Sequence, residues 1–106
     1  MNDTKKRAAV TLVQATLKKA ESEGQRVNAD STSHAWALFD ANTHPLVQDQ
    51  FARVIVDADG TIKVSHSGTI DWKAVPLPYN DVTGYDPTSA EVLAQVLRFV
   101  LGEVER

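Results

Sequence analysis

Residues 51–66 constrain this chain more than any other stretch, because they read as two strands folded back on one another. Val54-Ile55-Val56-Asp57 meets Thr61-Ile62-Lys63-Val64 across Ala58-Asp59-Gly60, and alternation with period two on either side of a Gly-containing turn is the pattern of an antiparallel hairpin. Two closures compete. A two-residue loop at Asp59-Gly60 pairs Val56 with Lys63 and Asp57 with Ile62, which mixes apolar and charged partners on both faces. A three-residue loop, a type I turn with Gly60 left-handed in a bulge, pairs Val56 with Ile62 and Val54 with Val64. It also puts Arg53, Ile55 and Asp57 across from Lys63, Thr61 and Ser65. Only the second register separates the faces, so Val54, Val56, Ile62 and Val64 are expected to point to the core.

Each end of the chain carries a helical period. From Thr4 to Glu23, the residues Ala9, Val10, Val13, Leu17 and Ala20 form one narrow stripe, and Gly24 stands where a left-handed C-terminal cap belongs. The last segment opens with Thr88-Ser89-Ala90-Glu91, the spacing of a capping box. It then runs to about Glu103 with an apolar arc of roughly 220° at about 100° per residue. That arc includes Val92, Val96 and Phe99 as well as Leu93, Leu97 and Val100. One sheet face cannot cover it, so this helix needs a second partner, either the N-terminal helix or the same helix of another copy.

Between these ends, residues 25–33 are polar and read as a loop, though Arg26-Val27 could extend a strand end. His34-Ala35-Trp36-Ala37-Leu38-Phe39-Asp40 reads as a strand, Asn42-Thr43-His44-Pro45 as a turn, and Thr69 to Val75 as a further strand with Ile70 and Trp72 on one side. The expected fold is α+β over 1–106 as a single domain. It has one antiparallel sheet of three or four strands, flanked in sequence by an N-terminal and a C-terminal helix. This order resembles that of double-stranded-RNA-binding domains in topology alone. The acidic Thr88-Ser89-Ala90-Glu91 stands where that resemblance calls for a basic patch, and it argues against RNA binding.

Composition narrows the chemistry. There is no Cys among the 106 residues, which removes disulfides, thiolate metal sites and thiol nucleophiles together. No apolar run reaches the roughly 18 residues of a spanning helix. Lys5-Lys6-Arg7 followed by Ala8-Ala9-Val10 has a faint likeness to a signal peptide, but Thr11, Gln14 and Thr16 interrupt it and Lys18-Lys19 closes it. A cytoplasmic protein is the expectation. Residues 1–27 hold six basic and three acidic side chains, against five and eleven in the remainder. Such a modest basic face is that of a solvated helix and not of a phosphate-gripping domain, so neither nucleic acid nor membrane is expected as a partner.

Catalytic patterns are thin. Asp57-Ala58-Asp59-Gly60-Thr61-Ile62 imitates the middle of a calcium loop, yet its first ligand position falls on Ile55 and its twelfth on His66. Ser67 lacks a nucleophile elbow, and the five glycines never cluster into a phosphate cradle. His34, His44 and His66 form no helical metal pair. A pocket built by His34, His66, Asp40 and Asp71 is the one arrangement that would support an enzyme or a metal site.

The remaining feature is the segment 76–87, which holds three of the four prolines and both tyrosines. Rigid aromatic area beside carboxylates is the chemistry of a protein or ligand contact, and the same segment could also fold back over the sheet edge with its aromatics as a lid on the core. The sequence therefore points to a small non-catalytic binding or regulatory module acting by protein–protein contact through this segment. Trp72, Tyr79, Asn80, Asp81 and Tyr85 are its binding residues, with no cofactor and no metal. A homo-oligomer formed through the C-terminal helix is expected as well.

Overall fold

A computed structural model describes residues 2–30, 34–39, 51–66 and 70–104. Helix α1 (Asn2–Ser22) leads into strands β1 (Arg26–Asp30), β2 (Ala35–Phe39), β3 (Phe51–Val56), β4 (Ile62–His66) and β5 (Lys73–Ala74). A short pair follows, β6 (Tyr79–Asn80) and β7 (Gly84–Tyr85), and then helix α2 (Ser89–Val104). The first five strands form one antiparallel meander in the order β1-β2-β3-β4-β5, and β6 and β7 form a separate two-stranded sheet. The expected single sheet of three or four strands is therefore corrected to a five-stranded sheet plus a second, two-stranded one.

Three local differences account for that correction. Arg26–Asp30, expected as loop, is an edge strand in which Val27 and Ala29 pair with Leu38 and Trp36. Its polar and charged positions suit an edge that must not recruit further strands, and they hide its strand character in the sequence. The strand expected over 69–75 shrinks to Lys73–Ala74, and Ile70, expected within that strand, lies outside it and is 92% exposed. The segment 76–87, expected as one long loop, contains the β6–β7 hairpin.

The β3–β4 hairpin has the three-residue closure. Val56 pairs with Ile62, Val54 with Val64 and Ala52 with His66. The Asp57 N–H donates to Thr61 O at 2.9 Å, and Gly60 has φ +86°. Asp59 Oδ1 accepts from the Thr61 N–H at 3.0 Å, which tightens the turn and holds the Asp59 carboxyl below its ordinary pKa.

Both helices lie on one face of the sheet. Ala9, Val13, Leu17 and Ala20 of α1 and Leu93, Leu97, Val100 and Leu101 of α2 join a single core with Trp36, Leu38, Val54, Val56, Ile62 and Val64. The wide arc of α2 is thus shared between the sheet and α1, with Val92 at 40% and Phe99 at 66% exposure left outside. On the opposite face, Lys63 Nζ lies 2.6 Å from Asp57 Oδ2, a pair that raises the Lys63 pKa above its ordinary value.

The ends of the helices are set by different devices. Helix α1 stops in a Schellman motif in which the Gln25 N–H donates to Ala20 O at 3.0 Å and Gly24 has φ +101°. For α2 the expected Thr88–Glu91 capping box gives way to a cap by Asp86. Its Oδ1 accepts from the Thr88 N–H at 2.9 Å and the Thr88 hydroxyl at 2.7 Å. Pro87, pre-set for a first helical turn, makes this upstream residue the better acceptor. The same bonds lower the Asp86 pKa, the Thr88 hydroxyl first.

Candidate functional site

Segment 76–87 is built around the β6–β7 pair. Tyr79 pairs with Tyr85 and their rings meet edge to face, with centroids 5.0 Å apart. The Lys5 ammonium of α1 stands 5.8 Å from the centre of the Tyr79 ring, a cation–π contact that ties the hairpin to the first helix. Tyr85 is half-buried against the core, and that burial, followed by the neighbouring Tyr79, raises its phenol above the ordinary tyrosine pKa. Leu77 is likewise half-buried against the core between two prolines.

The tip is organised by one side chain. Asn80 Oδ1 accepts from the Val82 N–H at 2.7 Å and the Thr83 N–H at 3.3 Å, and Gly84 takes φ +83° to bring the chain back. Asp81, Val82 and Thr83 are therefore held out into solvent, with Val82 91% exposed. Of the residues expected to bind, Tyr79, Asn80, Asp81 and Tyr85 share this hairpin. Trp72 does not: its ring packs 5.0 Å from the guanidinium of Arg53, which pairs with Ser65 on the sheet face away from the helices. Tyr79, Asn80 and Tyr85 spend their groups on shaping the hairpin, and Val82, which the sequence reading passed over, is the side chain it displays.

The histidines are placed apart. His34, with φ +50°, opens β2, and its carbonyl accepts the Val56 N–H at 3.2 Å. His66 pairs with Ala52 at the other end of β3. Four residue-to-residue steps along the strand separate Ala52 from Val56, about 13 Å at about 3.3 Å per step. Asp71 does lie with His66, around a groove. Asp40 and His44 lie outside the described residues. Among the described residues no group of three or more His, Asp or Glu side chains is arranged to hold a metal ion.

That groove, about 300 Å³, runs between α2 and strands β4 and β5 and is walled by Val96, Phe99, Val75 and Pro76, with Asp71 and Lys73 at its rim. The excess apolar arc of α2 was the sequence signal for it. No helix among the described residues is long and apolar enough to cross a membrane. Comparison with known proteins returns no matching family model, no matching curated protein and no matching solved structure.

Proposed function

We propose that this protein is a non-catalytic binding module that acts by protein–protein contact through the 76–87 hairpin. The observation that carries the reading is Val82, 91% exposed at the tip of a turn whose two N–H groups are bound by Asn80. An apolar side chain presented on a shape already paid for in chain entropy is the economical form of a contact residue. Asp81 beside it adds a charge for orientation. The test is affinity capture from the source cell with the parent chain and with Val82→Asp plus Asp81→Ala. Loss of a captured protein at unchanged melting temperature supports the reading, and an identical set of captured proteins overturns it.

A second contact, between copies of this chain, is favoured by Phe99 and Val92, both exposed on α2. With Val96 they stand at i, i+4 and i+7, one stripe that meets itself across a twofold axis. The groove beside Phe99 accepts the Phe99 of the second copy, and rim residues Asp71 and Lys73 supply opposite charges for the pairing. Light scattering at high micromolar concentration that gave the mass of one chain would remove this contact. A cytoplasmic location completes the proposal. Recovery of the protein in an exported fraction would overturn it.

A further inference from the structure

A second concavity lies on the far side of α2 from that groove, where the end of α1 meets the start of α2. It encloses about 330 Å³, at the lower end of the range for small-ligand sites. Its space comes from small residues on the two facing helices, Ala20, Ala90 and Ala94, over an apolar floor of Leu38 and Leu97. Gln25 also lines it, fixed there by the Schellman turn. The Gln25 Oε1 is shielded from solvent and has no hydrogen-bond partner among the described residues.

The two walls are joined by one ion pair, Arg98 Nη2 to Glu23 Oε1 at 2.8 Å, with the side chains 61% and 45% exposed. An exposed pair of this kind contributes little to stability and opens easily. Once open, it leaves Arg98 and Glu23 facing a cleft that Lys19 of α1 and Glu91 of α2 also line, so both signs of charge face the same space. An anion would satisfy only the cations and a cation only the carboxylates.

We infer that this cleft binds a small zwitterion of amino-acid size. Its carboxylate meets Arg98, its ammonium meets Glu23, and its apolar side chain lies over Leu38 and Leu97 among the alanines. The site is independent of the 76–87 hairpin and of the stripe on α2.

The experiment is an NMR titration of the full chain, following the amides of Ala20 and Ala94, with leucine, isocaproate and isoamylamine as probes. These share one branched side chain and carry both charges, the carboxylate alone and the ammonium alone. Leucine should shift both amides saturably, and the two singly charged probes should bind at least about tenfold more weakly, the equivalent of losing one good charged contact. Arg98→Ala and Glu23→Ala, both at exposed positions, should each weaken leucine by a similar factor at unchanged melting temperature. No saturable shift with any probe would mean that the cleft holds water only. Equal binding of all three probes, or leucine binding indifferent to both variants, would overturn the zwitterion assignment.

Discussion

Gly60, at the turn of the β3–β4 hairpin, lies against the backbone of Lys5 in the first turns of α1. A Cβ at Gly60 would stand 3.1 Å from the Lys5 carbonyl carbon and 3.1 Å from the Lys6 nitrogen. The turn thus meets two demands at one position: a left-handed backbone and a helix that approaches with no room for a side chain. The tip of the hairpin and the start of α1 are locked together through the absence of one carbon.

Gly84 supplies the control. It has φ +83°, close to the +86° of Gly60, but nothing lies within 4 Å of its Cβ position. Gly84→Ala should cost about 1–2 kcal/mol from backbone conformation alone. Gly60→Ala should cost more, and Gly60→Val more again, because the helix backbone must move. Asp59→Asn keeps the Oδ1 acceptor and should change little. Urea denaturation of the four variants measures this, and equal losses at the two glycines would refute the close packing of α1 on the turn.

Asp86 caps α2 with a folded-state pKa below its ordinary value. A carboxyl depressed on folding stabilises above its unfolded pKa, and that contribution disappears as pH falls through the folded pKa. Asp86→Ala should therefore lower the melting temperature at neutral pH, with the gap from the parent closing in acid below the ordinary carboxylate range. Thr88→Ala, which removes the hydroxyl donor, should shift the melting temperature in the same direction by less.

The two faces of α2 should respond differently to truncation. Leu97 is fully buried, and Leu97→Ala should cost about 2–5 kcal/mol through the cavity it leaves. Phe99→Ser removes an exposed ring and should leave monomer stability within about 0.5 kcal/mol while lowering the mass seen in light scattering. A large loss of stability in Phe99→Ser would place that ring in the core and not in a contact between copies.

Tyr85 titrates late because burial disfavours its phenolate. A pKa raised on folding gives stability that is complete below the unfolded value and is lost as pH rises through the folded one. Absorbance titration of the parent and of Tyr85→Phe, taken as a difference, should show a phenol ionising above the ordinary tyrosine range. The parent should also lose stability in that alkaline window faster than the variant.

What was legible in the sequence was local. The alternation of Val54, Val56, Ile62 and Val64 about Gly60 determines a register because a slip of one residue would turn every one of these side chains over. Gly24 marks the end of α1 because only a residue free of a Cβ takes that φ without strain. The amphipathic stripe of α1 and the wide arc of α2 follow from a period of 3.6 in the same way. Of the candidate site, the aromatic character of 76–87 was visible, since Pro and Tyr bring their stiffness and area wherever they stand.

The remainder depends on partners distant in the chain. Arg26–Asp30 has a single strong strand former, Val27, and becomes β1 because β2 offers an edge of unpaired N–H and C=O groups. Trp72 leaves the tyrosines because Arg53, on β3, holds its ring on the opposite face of the sheet. The two helices share one face, and the approach of α1 covers part of the α2 arc while leaving Phe99 outside. The Glu23–Arg98 pair spans 75 positions of sequence, and no spacing rule connects them. Periodicity and backbone stereochemistry act over a few residues and can be read along a line, whereas burial, edge pairing and cleft formation are properties of surfaces that exist only once the chain has closed on itself.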